Sequence, residues 1–364
     1  MRRLLVGVWQ GQHESANVFP VRHTSDHIPI DGREKIPEMS ATGIAHAEEP
    51  GGPGRLPEPV AAWYARRRYR SEDYPPQLLA QCKADRTVTV IVPTRECAAT
   101  IGGVVEDSVG PLAELGLVDE LVVVDAGSAD GTAALARRAG ARVLFEDELD
   151  GQLGPALGKG DAMWRGLRAT GGEIVCFLDG DTADPTPHHL QGLLGPLLAD
   201  DSLALVKGAF DRPLDADGVK FPHEGGRVTE LMARPLLNLH VPLLAGFAQP
   251  LAGEFAARRA LLERCAFPVG YGVEIAVLID ALRARGLDAL AECQLGTRQN
   301  RHQSLRALGE MAYAVLAAVE HRIVPAQPTG RVDADGRYLR PWQGGAVTRV
   351  PVLERPPIRS AVAL

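Results

Sequence analysis

From Thr87 onward the chain repeats one pattern: a short apolar run ending in polar residues and glycines, followed by a stretch with helical spacing. Strands are predicted over residues 87–92, 120–124 and 142–145, in the run Glu173-Ile174-Val175-Cys176-Phe177-Leu178, and over 289–295, with a further apolar run at 203–206. Helices are predicted over residues 100–115, 131–139, 159–170, 226–239, 273–285 and 305–323. Continuous apolar runs without polar alternation suit strands buried on both faces. Their alternation with helices dictates an α/β fold, a mostly parallel central sheet flanked by helices and joined by right-handed crossovers. Ligands of such sheets gather beyond the carboxyl ends of the strands, so the residues just after each run carry the functional reading.

The chain has 364 residues, 45% hydrophobic and 23% charged, which is ample for a substantial core. A net charge of -7 provides no basic field for gathering nucleic acid. Cys82, Cys97, Cys176, Cys265 and Cys293 are scattered without a Cys-x-x-Cys pair and read as reduced structural thiols. The apolar start breaks at residues 10–14, and no run is long enough to span a bilayer. A soluble cytoplasmic protein without stable membrane insertion is expected.

The strand at Ile174 ends in Asp179-Gly180-Asp181. A hard divalent cation takes oxygen ligands and bridges carboxylates to a diphosphate, and Gly180 lets such a ligand approach the backbone. The same pair of acids also fits a polar turn or a helix cap. The strands before it deliver Pro93-Thr94-Arg95-Glu96 and Asp125-Ala126-Gly127-Ser128, suited to a base and ribose, or to capping the next helix. Neither loop has Gly-x-Gly-x-x-Gly or Gly-Lys-Ser/Thr spacing, which removes a Rossmann dehydrogenase and a P-loop ATPase. Lys159 sits between two glycines at a helix start, where it can meet a phosphate or a base carbonyl.

Gly225-Gly226-Arg227-Val228-Thr229-Glu230 offers a second anion seat, although Arg227 can instead pair with Glu230 along the helix. Leu251 lies in a glycine-centred loop, and Tyr271 and Glu274 stand at the head of an apolar helix. Arg298-Gln299-Asn300-Arg301-His302 concentrates charge, an amide and an imidazole after the strand at 289–295. Arg298 can stabilise a leaving diphosphate, and His302 or Asn300 can join Asp181 around a metal. The apolar stripe of residues 305–323 is either core or a dimer interface.

Together these motifs resemble the glucosyl-3-phosphoglycerate and mannosyl-3-phosphoglycerate synthases, retaining glycosyltransferases of GT-A fold. The resemblance runs from about Thr87 to Ile323 and rests on six motifs in one order: Gly158-Lys159-Gly160, Asp179-Gly180-Asp181, Gly226-Arg227-Val228-Thr229-Glu230, Pro250-Leu251-Ala252-Gly253-Glu254, Gly270-Tyr271-Gly272-Val273-Glu274, and the Arg298 loop. It implies Asp181, Arg298 and Glu274 as catalytic residues. Pro93, Thr94, Glu96, Asp125, Lys159, Asp179, Gly180, Leu251 and Tyr271 would hold the nucleotide sugar, and Gly226, Arg227, Thr229 and Asn300 the acceptor. The metal would be Mg2+, or alternatively Mn2+ or Co2+, on Asp181 and His302. Two departures stand out. The loop Pro93-Thr94-Arg95-Glu96-Cys97 and Ala126 replace Pro-Ala-Leu-Asn-Glu and the Ser of Asp-Ser-Gly-Ser, and the metal-binding His of relatives aligns with Asn300 rather than His302.

The expected activity is transfer of mannose or glucose from GDP-mannose, GDP-glucose or UDP-glucose to the 2-hydroxyl of D-3-phosphoglycerate, in a homodimer. The competing expectations are a polyprenyl-phosphate glycosyltransferase and a sugar-nucleotide-binding regulator. The chain divides accordingly into a 1–86 extension with a Gly/Pro-rich connector, a nucleotide-sugar half (87–210), an acceptor half (211–323) and an extended tail (324–364).

Overall fold

The computed structural model describes residues 57–149, 157–216, 219–221, 225–298, 304–323, 336–340 and 346–361. Its central sheet has eight strands, named here with the shorter ribbons in chain order: β1 Arg68–Arg70, β2 Val88–Thr94, β3 Glu120–Asp125, β4 Arg142–Phe145, β5 Ile174–Phe177, β6 Leu205–Asp211, β7 Leu214–Ala216, β8 Val219–Phe221, β9 Phe255–Arg258, β10 Phe267–Pro268, β11 Leu290–Thr297, β12 Arg337–Arg340, β13 Ala346–Arg349 and β14 Glu354–Arg355. The sheet order is β1-β11-β6-β9-β5-β2-β3-β4. Every pairing within it is parallel except the two made by β9, which runs antiparallel between β5 and β6.

Successive residues of the apolar strands feed two different cores, as the pleat requires. Val88, Val90 and Val92 of β2 join Ile174 and Cys176 of β5 on one face. Ile91 joins Val122, Val124, Val175 and Phe177 on the other. The helix Lys159–Arg168 lies close against that second face because it carries Gly166, where a side chain would strike Ile91 and Val124 at 2.9 and 3.0 Å. The predicted helices at 273–285 and 305–323 are found with those bounds, Val273–Arg285 and Leu305–Ile323. Those predicted at 100–115 and 226–239 each contain a π-helical stretch, Val104–Val109 and Thr229–Ala233. None of the described helices is long and apolar enough to cross a membrane.

Two regions are more deeply integrated than the sequence suggests. In the stretch read as an N-terminal extension, β1 pairs with β11, and Trp63 is fully buried, donating its indole N–H to the Leu290 carbonyl at 2.7 Å. The helix Glu58–Arg66 therefore turns Trp63 inward, while Tyr64 stays 42% exposed under the Arg68 guanidinium. The described residues of the tail pack onto the body instead of lying free on the surface. β14 pairs with β10, the Trp164 indole donates to the Pro356 carbonyl at 2.9 Å, and Arg355 grips the buried Asp161 carboxylate with two bonds of 2.7 and 2.8 Å. All five cysteines are free thiols.

Candidate active site

The carboxyl ends of β2, β3, β4 and β5 open onto one cavity of about 910 Å3. Its wall passes from Pro93, Thr94, Arg95 and Cys97 after β2, through Ala126 and Glu146, to Lys159, Asp179, Gly180 and Asp181, and then to Arg212, Gly225, Gly226, Arg227 and Thr229. Leu251, Tyr271, Glu274 and Arg298 complete it, so most residues singled out in the sequence converge here.

Lys159 organises the centre. Its ammonium meets the Asp179 carboxylate at 2.7 Å and the Glu274 carboxylate at 2.9 Å, with side-chain exposures of 24%, 14% and 5% for the three residues. Burial opposes the lysine's charge, but the two carboxylates outweigh it and hold the ammonium well above its ordinary pKa. Burial likewise works against the Asp179 carboxylate, and the Lys159 charge overcomes that and holds it below its usual range. Gly253 forms the floor of the pair, since any Cβ there would collide with the Asp179 carboxylate and the Lys159 ammonium.

Asp181, two residues on, is in the opposite state. Asp181 is exposed at the cavity surface, yet the protein packed around it, and then the neighbouring Asp179 charge, push its carboxyl above the ordinary range. Among the described residues no other side chain hydrogen bonds to it. A carboxylate crowded by a like charge and facing a cavity suits a divalent cation, which would relieve that repulsion.

Arg298 follows β11, where its own N–H donates to the Asp211 carbonyl at 2.8 Å. Its guanidinium is 3% exposed, forms an ion pair with the wholly buried Glu254, and donates to Thr182 Oγ1 at 3.0 Å. Beneath it, Lys207 is buried with its ammonium 2.6 Å from the Ala252 carbonyl, and desolvation pulls its pKa down to about 8. This lysine stands inside an apolar strand and carried no functional signal in the sequence.

At the far end, the Gly225 N–H donates to the Arg212 carbonyl at 2.8 Å, which folds the Gly225-Gly226 turn over Arg212. Gly226 has φ 71°, a left-handed value that glycine tolerates. Glu230 is engaged by Arg234 at 2.6 and 2.8 Å, so the Arg227–Glu230 alternative gives way to an Arg234–Glu230 pair.

Asp125 and Glu96 differ from expectation, because their side chains brace loops instead of facing the cavity. Asp125 is fully buried and accepts from Thr94 Oγ1 at 3.3 Å and the Ser128 N–H at 2.8 Å. Glu96, at φ 53°, donates its N–H to Ser128 Oγ at 2.9 Å and accepts the Ala129 N–H at 2.9 Å. The two loops are thus cross-tied before any ligand arrives. Asn300 and His302 lie outside the described residues. Glu146, Arg212, Val350 and Pro351 line the cavity without having been singled out in the sequence, and Arg95 lines it within the loop read there as suited to a base and ribose. Val350 and Pro351 belong to the tail, which read as an extended surface segment.

A family model, "Glycosyl transferase family 2", matches residues 89–251. Glucosyl-3-phosphoglycerate synthase of Mycolicibacterium paratuberculosis is 40% identical over 332 residues, covering 88% of this chain and 99% of that protein. The chain belongs to the glucosyl-3-phosphoglycerate synthase family. The crystal structure of mannosyl-3-phosphoglycerate synthase from Rubrobacter xylanophilus superposes with a TM-score of 0.73 at 42% identity, covering 82% of this chain and 99% of that one. Glucosyl-3-phosphoglycerate synthase of Mycobacterium tuberculosis, in complex with Mn2+, UDP-glucose and phosphoglyceric acid, gives 0.70 at 39% identity, covering 79% and 95%. Membership of this family makes the chain a glycosyltransferase of GT-A fold, and its sheet order with the cavity at the strand ends is that fold's framework.

Proposed function

We propose that the protein transfers glucose or mannose from a nucleoside diphosphate sugar to the 2-hydroxyl of D-3-phosphoglycerate with retention of configuration. The observation that carries this reading is a single cavity with two separate charged ends: Lys159, Asp179 and Asp181 at the strand ends, and Arg212, Gly226, Arg227 and Thr229 opposite. A sugar diphosphate and a phosphorylated acceptor need such a pair of seats, and a relative crystallised with Mn2+, UDP-glucose and phosphoglyceric acid holds this ligand set.

Arg227 and Arg212 act on the acceptor phosphate as charge-assisted donors, and the exposed backbone at Gly226 lets it approach. Tyr271 and Leu251 border the sugar. Asp181 is the described residue that would hold the divalent metal, with His302 or Asn300 as the expected second ligand. Such a cation supplies positive charge against the departing diphosphate. Arg298, neutralised in part by Glu254, adds a fixed cation on the same side.

In the transfer, the acceptor O2 bonds to the anomeric carbon as the bond from that carbon to the phosphate oxygen breaks. The hydroxyl proton passes to the leaving phosphate. Attack from the leaving-group face retains configuration without a protein nucleophile. Asp179 and Glu274 support this reading, since one ammonium pins both and leaves neither positioned as a free nucleophile. Exposed Leu231, Leu239, Leu305 and Leu316, on adjoining helices, support a homodimer.

The decisive experiment is a matrix of UDP-glucose, GDP-glucose, GDP-mannose and UDP-galactose against 3-phosphoglycerate, with the product anomer read by NMR. The α-linked product is expected from a glucose or mannose donor. A β-linked product would refute retention, and no transfer from any donor would remove the assignment.

A further inference from the structure

We infer that Glu146 selects a guanine base, so that the preferred donor is a guanosine diphosphate hexose; this rests on the sugar-nucleotide reading of the cavity. Glu146 directly follows β4, and so occupies the third of three adjacent parallel strand ends. With Arg95 after β2 and Ala126 after β3 it lines one corner of the cavity, closed by Leu157 and Gly158. In the sheet the ends of β2, β3 and β4 lie to one side of β5, and β6, which Arg212 follows, lies to the other, so that corner is free to take the base.

Glu146 is 1% exposed, and its Oε1 has no hydrogen-bond partner among the described residues. Leaving a buried charged oxygen unpaired is strongly unfavourable, and native structures reserve such groups for ligands. The charges that act on it are those of Asp161, Arg165 and Arg95, together with the Gly158 N–H. Burial first, and then Asp161, push its carboxyl up to about 7 against the pull of the two arginines.

Nucleobases differ in what they offer a carboxylate. Guanine presents two adjacent donors, N1–H and the 2-amino group, and beside them the O6 and N7 acceptors that an arginine fork matches. Uracil presents a single N3–H flanked by two carbonyls that would repel Glu146. Adenine and cytosine place a ring-nitrogen acceptor next to their amino group. A carboxylate and a guanidinium lining one corner, with Ala126 offering no side-chain donor to a pyrimidine carbonyl, form the complement of guanine.

The test is calorimetric titration of GDP and of UDP, each with Mn2+, into the full-length protein at pH 8 and pH 6. GDP is expected to bind at least about tenfold more tightly than UDP at pH 8, and Glu146→Gln to narrow that ratio about ten- to a hundredfold. Because the ionised carboxyl is the form that accepts from guanine, the wild-type ratio should also shrink from pH 8 to pH 6, with the Gln variant showing no such change. The wild-type ratio needs no variant to fold. UDP binding as tightly as GDP, or a ratio unchanged by the Gln substitution, would overturn the inference. Guanine selectivity without transfer to 3-phosphoglycerate would remove the functional reading alone. Transfer from UDP-glucose with equal GDP and UDP affinities would remove this one alone.

Discussion

Lys159→Ala isolates the electrostatic centre of the site. In the wild type one ammonium is shared by two carboxylates, 2.7 Å from Asp179 and 2.9 Å from Glu274, which are 14% and 5% exposed. Removing the partner of a buried charge costs about 3–5 kcal/mol, and because Lys159 retains 24% exposure we take the lower end, about 3 kcal/mol, at pH 8. The pH dependence follows from the signs. Asp179 has a lowered pKa in the folded protein, so its contribution is present above the ordinary aspartate value and lost as pH falls through the lowered one. Lys159 has a raised pKa, so its contribution holds across the neutral range and is lost only in strong alkali. In the variant the desolvated Asp179 carboxylate, without its ammonium, takes up a proton more readily than in the unfolded chain. The deficit therefore shrinks on acidification, by up to about 1.4 kcal/mol per pH unit for each proton taken up. Urea denaturation of wild type and variant at pH 8 and pH 5 reads both effects. A deficit below about 1 kcal/mol at pH 8, or one equal at the two pH values, would show that the ammonium does not hold the carboxylates in this way.

Arg227→Ala should raise the acceptor KM about tenfold while changing the donor KM far less, as loss of a charge-assisted phosphate contact requires; steady-state kinetics with each substrate varied in turn would show equal effects if the reasoning fails. Gly253→Ala places a methyl group on the Asp179 carboxylate and the Lys159 ammonium, so we expect a steep loss of kcat with about 1–3 kcal/mol of destabilisation, and wild-type kinetics would contradict the described floor. Arg355→Met leaves Asp161 with its Arg165 contacts but no tail partner; about 3 kcal/mol should be lost in denaturant melts and the donor KM should rise, because Val350 and Pro351 line the cavity. An unchanged donor KM would separate the tail from the nucleotide end.

The strand ends were legible because buried parallel strands write continuous apolar runs, and Val88 to Val92 or Ile174 to Phe177 admit few other structures. β9 escaped notice for the converse reason. Phe255-Ala256-Ala257-Arg258 is short, alanine-rich and preceded by glycine, and its strand character comes from the two neighbours it pairs with. Lys159, Asp179 and Arg227 stood out through the glycines around them, which mark close backbone approach. Glu146 did not, since Glu146-Asp147-Glu148 reads as a solvated acidic turn and only the folded chain buries its first member. Arg355 was hidden likewise, because a proline-rich segment has no periodicity to reveal which side chain turns inward. Asp125 was given a ligand role, whereas its partners in the structure are Thr94 and Ser128, whose proximity depends on the β2–β3 register.

The Arg355–Asp161 clasp joins residues 194 positions apart and closes over the helix that begins at Lys159. During synthesis from the amino terminus, the sheet, Lys159 and both of its carboxylate partners emerge well before Arg355 does. A growing chain can therefore assemble the charged centre while the wall containing Val350 and Pro351 is still in the ribosome. A chain lacking the Arg355 segment would therefore fold around a site open on that side. A protease that nicks this segment would likewise leave that wall unanchored.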